Sequence, residues 1–310
     1  MGDIGRNLIH NPLFNVAQRG VGPWTTSQYT LDRWRIDLNL DVDSISQSQY
    51  NDAQRAAVGD EEAINVMVAG VTGNAGAAAF SLLSQPVENV RRLANKTVTV
   101  SFWAHASSGT PKVGVGFRQF FGTGGSPSAF VDLNATAVTL STTPARYSIT
   151  TTLPSIAGKT LGTNNDHYTR MGLWLSSGAT NNALAGGVGV QGTNFVFWGV
   201  QLEIGSVATP LEKPDPRYDL SNCQRFYQVG YFNYGGYGAA GTPISVSQQL
   251  PVTMRVAPTM VNTGGGAATN VSSPVLGIGN GSNSGFYIGG SVTGVGNFAF
   301  YGNYSASADL

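Results

Sequence analysis

Short runs that alternate apolar and polar residues recur between residues 33 and 203, and each is bounded by Gly, Pro, Ser or Asn. Only an extended chain sends successive side chains to opposite faces, so each run reads as a strand with one buried side. Trp34, Ile36, Leu38 and Leu40 alternate with Arg33, Arg35, Asp37, Asn39 and Asp41. The same period marks 64–69, 97–104, 112–117, 146–153, 168–175 and 194–203. Strands separated by turn residues rather than helices pack as two sheets, which predicts a β-sandwich. Helical spacing is scarce. Residues 86–93 can form about two turns, and 219–229 carries Leu220, Cys223 and Tyr227 at helical spacing behind Asp219, a residue able to cap.

Between the last alternating run and that second helix lie Pro210, Pro214 and Pro216. Proline cannot donate to a strand ladder, so 208–216 reads as an extended linker. The expected order is a sandwich over 1–207, a linker and short helix over 208–229, and a small Gly-rich β-domain over 230–310. In that last part 244–256 and 286–304 look strand-like, whereas Gly264, Gly265 and Gly266 read as turns and flexible tips. Glycine in a strand costs roughly 0.5–1 kcal/mol relative to alanine and buries no side chain, so this part is expected to need partner chains. A homotrimer is the expected assembly.

Charge excludes several functions. Only 11% of the 310 residues are charged, and Lys plus Arg balance Asp plus Glu at 17 each. The surface must therefore be built from Ser, Thr, Asn, Gln and Gly, and no basic footprint for a nucleic acid exists. Cys223 is the single cysteine, which leaves no intrachain disulfide and no Cys-cluster zinc site. Neither a signal-peptide core nor a membrane-spanning run of about 18 apolar residues is evident. The expectation is a chain made in the cytoplasm, without membrane insertion, and released by lysis.

No catalytic group is assigned. His10, His105 and His167 share no metal-ligand spacing. Glycoside hydrolysis needs paired carboxylates, for which Asp60, Glu61 and Glu62, or Asp132 with Asp166, are the available groups, but an acidic loop run is ordinarily solvated. The glycine triplet lacks the Lys-Ser/Thr of a phosphate loop.

Aromatic residues set in polar rows point elsewhere. Sugar rings stack apolar C–H faces on aromatics while their hydroxyls pair with Asn, Gln, Arg and carboxylates. In 97–104 Trp103 shares a face with Thr97, Thr99 and Ser101; in 168–175 Tyr168, Arg170 and Trp174 lie opposite Met171, Leu173 and Leu175. In 194–203 the apolar row Val196, Trp198, Val200 and Leu202 leaves Phe195, Phe197, Gln201 and Glu203 opposite. Joined on one concave sheet, Trp103, Tyr168, Arg170, Trp174, Phe197 and Gln201 would form a saccharide groove; Trp24 and Tyr29 are comparable loop candidates. Burial between sheets or at a subunit interface is the competing reading for each aromatic.

Several blocks carry a resemblance. Residues 7–20, 31–34, 83–88, 93–104, 198–205, 221–228 and 250–259 together resemble a family of phage and prophage tail or head fibre proteins. The first 205 residues also resemble the carbohydrate-binding jelly rolls appended to xylanases and other glycanases. These resemblances imply a jelly-roll sandwich, a non-catalytic virion subunit that adsorbs to host-surface polysaccharide, and other capsid or tail proteins as partners. They also allow a structural calcium ion, although Phe197-Trp198-Gly199 stands where such modules tend to carry an Asp. A purely structural decoration or fibre-attachment protein without a glycan ligand is the alternative.

Overall fold

The computed structural model describes residues 5–272, 275–277 and 282–310. The chain divides into two compact units, Met1–Pro216 together with Leu310, and Arg217–Asp309.

The first unit is a jelly-roll β-sandwich. Its front sheet contains β1 (Gln28–Tyr29), β2 (Arg35–Asn39), β5 (Phe80–Glu88), β7 (Lys112–Phe120), β8 (Val131–Thr139) and β10 (Tyr168–Ser177), in the order β1-β2-β5-β10-β7-β8. Its back sheet contains β3 (Ser44–Gln49), β4 (Asn65–Val71), β6 (Thr97–Ala106), β9 (Ala145–Thr152) and β11 (Thr193–Ile204), in the order β3-β4-β11-β6-β9. The strand ladders are antiparallel, and from β5 to β11 the chain crosses between the sheets again and again. The alternating runs supply the inner faces. Ile36, Leu83, Phe102, Val115, Met171, Leu173, Phe195 and Phe197 meet between the sheets around a fully buried Trp34. Burying such side chains is worth about 1.5–3 kcal/mol each.

Two local readings need correction. Residues 86–93 are not a helix: Pro86 lies within β5, and only Val90–Arg92 turn, as a short 3-10 segment. A proline is tolerated there because β2 pairs with β5 only as far as Ser84, so no ladder partner on that side needs its missing N–H; the Pro86 carbonyl instead accepts from Arg33 Nη2 at 2.7 Å. Conversely, α1 (Asp52–Val58) forms where no helix was expected. Asn51 and Gln54 make a reciprocal capping box and Gly59 closes the helix in the left-handed region, φ 74°.

The second unit opens with α2 (Pro216–Gln224), which ends before Tyr227; Cys223 is buried and Leu220 exposed. Two three-stranded sheets follow. One has the order β12-β17-β14, from β12 (Tyr227–Gly238), β14 (Thr259–Thr269) and β17 (Gly296–Ser307); the other is β13-β16-β15, from β13 (Pro243–Gln249), β15 (Val275–Gly277) and β16 (Gly285–Ser291). Gly264–Gly266, expected as a flexible tip, lie inside β14, where the register shifts against β17. The unit closes a core of its own around Phe232, Met254, Phe286, Ile288, Phe300 and Tyr304. Large side chains on alternate positions thus compensate for the glycines between them.

Candidate functional site

Over β11 the outer face of the back sheet is covered by the chain itself. β11 changes register between Trp198 and Gln201, at Gly199 with φ 60°. A Cβ at Gly199 would lie 2.8 Å from Leu211 Cδ2, so the bulge and the approach of Leu211 both require glycine. This bulge overturns a simple alternation. Phe195 and Phe197 point into the inter-sheet core, Val196 and Trp198 point outward, and Val200 and Leu202 point inward again. Trp198 and Val196 are covered by Leu13, Tyr50 and Val58, with Trp103 and Leu211 packed against them.

Beyond the bulge Gln201 and Glu203, both fully buried, fasten residues 209–212 to the sheet. Gln201 Nε2 donates to Glu203 Oε1 at 2.8 Å, and Gln201 Oε1 accepts from Glu212 N at 2.7 Å. Glu203 accepts from Thr209 N at 3.0 Å and Thr209 Oγ1 at 2.7 Å, and pairs with Arg6 Nε at 3.4 Å. Burial raises the Glu203 carboxyl, but the hydrogen bonds from Thr209 and Gln201 outweigh it and hold the group below its ordinary range. The proline-rich segment is therefore docked rather than a free linker. Phe197, expected on a saccharide face, is in the core, and Gln201 and Trp103 serve this seal.

The outer face of the front sheet is different. Its registers align four rows across the strands. Glu88, Tyr168 and Phe120 form the first; Pro86, Arg170, Arg118 and Asp132 the second; Tyr29, Arg35, Ser84, Gly172 and Gly116 the third; Asp37, Leu82, Trp174, Gly114 and Ala137 the fourth. The second and fourth rows are four residues apart, roughly 13–14 Å at the rise of a strand. Between them Gly172 and Gly116 carry no side chain, but both are buried, with Leu82 Cδ1 and Ala135 Cβ 2.9 and 3.2 Å from where their Cβ atoms would lie, so the trough they make is shallow. Arg170 lies between it and an open depression of about 200 Å³ lined by Tyr29, Arg35, Asp37, Ser84, Pro86, Tyr168, Arg170 and Leu310.

The far wall of the trough is apolar. Trp174, 7% exposed, packs edge-on to Phe80 at 5.8 Å and lies under Leu184, Ala185 and Val188 of the 178–190 loop. That loop reaches the sheet because Gly114 has no Cβ, which would otherwise come 2.2 Å from Ala185 O. Trp174 is therefore a wall and not an open platform. Aromatic surface lies on the near side. Tyr168 and Phe120 rings sit 4.9 Å apart, Arg118 stacks 3.9 Å from the half-exposed Phe130 ring, and Arg35 stacks 5.7 Å from Tyr29.

Charges line the near wall. Arg118 grips Asp132 bidentately at 2.6 and 2.7 Å, which holds the guanidinium above its ordinary range. Asp37 Oδ1 pairs with Arg35 Nε at 2.8 Å, and its Oδ2 lies 3.5 Å from Arg170 Nη1. Burial, then the like charge of Arg118, depresses Arg170. Burial raises the Tyr168 phenol.

The structure brings Tyr168, Arg170 and Trp174 together, as the sequence indicated, and adds Tyr29 to them; Trp24 instead bridges to Ile45 beside the core. Arg35, Asp37, Arg118, Asp132 and Phe120 were missed. The signal was available in β7, where Gly114, Gly116, Arg118 and Phe120 alternate with Val113, Val115 and Phe117.

The carboxylates considered for hydrolysis have structural partners: Asp60 and Glu62 pair with Lys213, Asp132 with Arg118, and Asp166 accepts from Thr123 N. His167 Nδ1 accepts from Val90 N at 3.3 Å. Among the described residues no three His, Cys, Asp or Glu side chains converge as a metal-ligand group. No helix among them is long and apolar enough to cross a membrane.

No family model matches the chain, and no curated protein matches it. Among solved structures it is similar to a CBM4 structure, at 15% identity over 64% of this chain and 99% of that one, TM-score 0.36. It is also similar to the C-terminal family 22 carbohydrate binding module of Clostridium thermocellum Xyn10B, at 13% identity over 67% and 100%, TM-score 0.36. A third is the family 11 module from Clostridium thermocellum in complex with a β-1,3-1,4-mixed-linked tetrasaccharide, at 11% identity over 57% and 91%, TM-score 0.35.

Proposed function

We propose that the first unit is a non-catalytic saccharide-binding module and that the chain is a bacteriophage fibre or spike subunit that adsorbs to polysaccharide on a host cell. The observation that carries the binding reading is the shallow trough on the front sheet with the open depression at its Tyr168 end. It is edged by aromatic surface and by the hydrogen-bonding groups of Arg35, Asp37, Arg118, Asp132 and Arg170. A polymer crossing the strands would stack a ring beside Tyr168 and Phe120 and present hydroxyls to the charged wall. The fibre reading rests on the sequence blocks that resemble phage fibres and on a surface poor in charge.

Assembly as a homotrimer with other virion proteins belongs to the same reading. Tyr231, Tyr237 and Tyr301 on the β12 and β17 strands are 52%, 73% and 40% exposed, an aromatic surface suited to a second copy. Many copies would raise a weak single-site affinity by avidity.

The test is binding of the purified protein to polysaccharide extracted from host cells, with Tyr168→Ala as the disabling variant. The Tyr168 ring lies at the open end of the face against Phe120, outside the inter-sheet core, so the variant is expected to fold while the stacking surface is lost. Saturable binding weakened in Tyr168→Ala supports the module. Binding unaffected by it moves the ligand off this face, and no binding at all favours a structural decoration protein.

A further inference from the structure

We propose that the trough selects a carboxylate-bearing sugar, a uronic or ulosonic acid residue, and that Arg170 is the group that reads it. The inference deepens the saccharide-binding reading and rests on it.

The charges that act on Arg170 are few. Arg118, Asp37, Asp132 and the Tyr168 phenol are the titratable groups that face it, with Arg35 one step beyond on Asp37. Three arginines thus stand against two carboxylate side chains, with Leu310 at the rim, where its carbonyl accepts from the Tyr29 hydroxyl. Asp132 is taken by both nitrogens of the Arg118 fork, at 2.6 and 2.7 Å. Asp37 gives its closer contact to Arg35, at 2.8 Å, and stands off from Arg170 at 3.5 Å. One positive charge is left without a partner of its own, and it is on Arg170.

Geometry says the same. The Arg170 side chain is 18% exposed, yet its guanidinium makes no hydrogen bond within the protein, and Asp37 Oδ2 accepts none. A guanidinium carries five donors in a planar fork, and leaving them unused in a largely buried wall is costly. A neutral hydroxyl would satisfy one donor. A carboxylate would satisfy two in parallel and neutralise the surplus charge that Arg118 makes unfavourable. Arg170 lies in the row between Tyr168 and Gly172, so a sugar stacked beside the tyrosine would bring an acidic substituent over the glycine floor to it. A hydroxyl-only ligand leaves the surplus charge in place, which is why the fold favours an acid.

Direct binding to matched pairs of polymers tests this. Polygalacturonate, alginate, hyaluronan and polysialic acid are each presented native and after reduction of their carboxyls to hydroxymethyl groups, alongside neutral xylan and mixed-linkage glucan. The expected result is that at least one native polymer binds about tenfold or more tighter than its reduced form, with a preference that falls as salt rises. Arg170→Met should bring the two forms level, and Arg170→Lys, which keeps the charge without the fork, should retain part of the preference. Because Arg170 makes no hydrogen bond in the fold, both variants are expected to melt close to wild type, which separates recognition from unfolding. Equal binding of native and reduced polymers, or binding to xylan or glucan alone, overturns the acidic-sugar inference and leaves the saccharide module standing. Binding to none of the polymers overturns the module as well.

Discussion

The outer face of the back sheet carries Ser101, Trp103, Gln201 and Glu203, and that of the front sheet carries Arg118, Tyr168, Arg170 and Asp132. Both are rows of aromatic and polar residues opposite an apolar row, and both invite the same reading from alternation alone. They differ in what lies over them. On the back sheet the buried Gln201 and Glu203 hold residues 209–212 as a lid built from the same chain. On the front sheet the 178–190 loop covers Trp174 and stops there, and the Tyr168 end is an open depression with Leu310 at its rim. A polar row marks a face that is not core; whether it meets solvent depends on residues distant in sequence.

The contrast is sharpest at Phe197, assigned from alternation to a binding face and found in the core. Phe197→Ala is expected to destabilise the first unit by about 3–5 kcal/mol, read by denaturant titration. A change below about 1 kcal/mol would mean that the Gly199 bulge is absent and Phe197 faces outward. Gln201→Ala comes next. It strands the Glu212 N–H and removes a donor from Glu203, so about 1–3 kcal/mol of stability should be lost. Polysaccharide affinity of the folded protein should stay the same, and a selective loss of affinity would place ligand on the back sheet instead.

A smaller effect concerns the buried Asp43, whose carboxyl burial pushes up to about 6, aided by Asp41 and opposed by hydrogen bonds from Ser81 and Thr72. Its folded value lies above the unfolded one of 3.8, so the fold favours the protonated form. The stability this contributes is complete below the unfolded value and is lost as pH rises through about 6. Asp43→Asn should therefore be more stable than wild type by about 2 kcal/mol at pH 7, with the advantage gone at low pH. A constant difference across that window would show that Asp43 is not the titrating group.

Strand positions were legible because burial of one face writes itself into alternation: 97–104, 112–117 and 168–175 all fall inside β6, β7 and β10. The helix α1 was legible in principle from Asn51, Gln54 and Gly59 but lay in a polar stretch without an apolar stripe. Side assignments failed where one residue broke the period, as Gly199 does in β11. Strands β12 and β14 were hidden because glycine supplies no alternation to read. Arg35 and Asp37 share one face of β2 and their pairing is local, but the pairing of Arg118 with Asp132 and the approach of Arg170 to Asp37 depend on which strands lie side by side, which no local pattern encodes.

The central claim is that saccharide binds the open front face and not the covered back face. Binding of extracted host polysaccharide to wild type, Tyr168→Ala and Trp103→Ala, each confirmed as folded by its thermal melt, tests it most directly. The account expects Tyr168→Ala to weaken binding about tenfold, the scale of one lost aromatic contact, with Trp103→Ala matching wild type. Loss of binding in Trp103→Ala with Tyr168→Ala unchanged would contradict it.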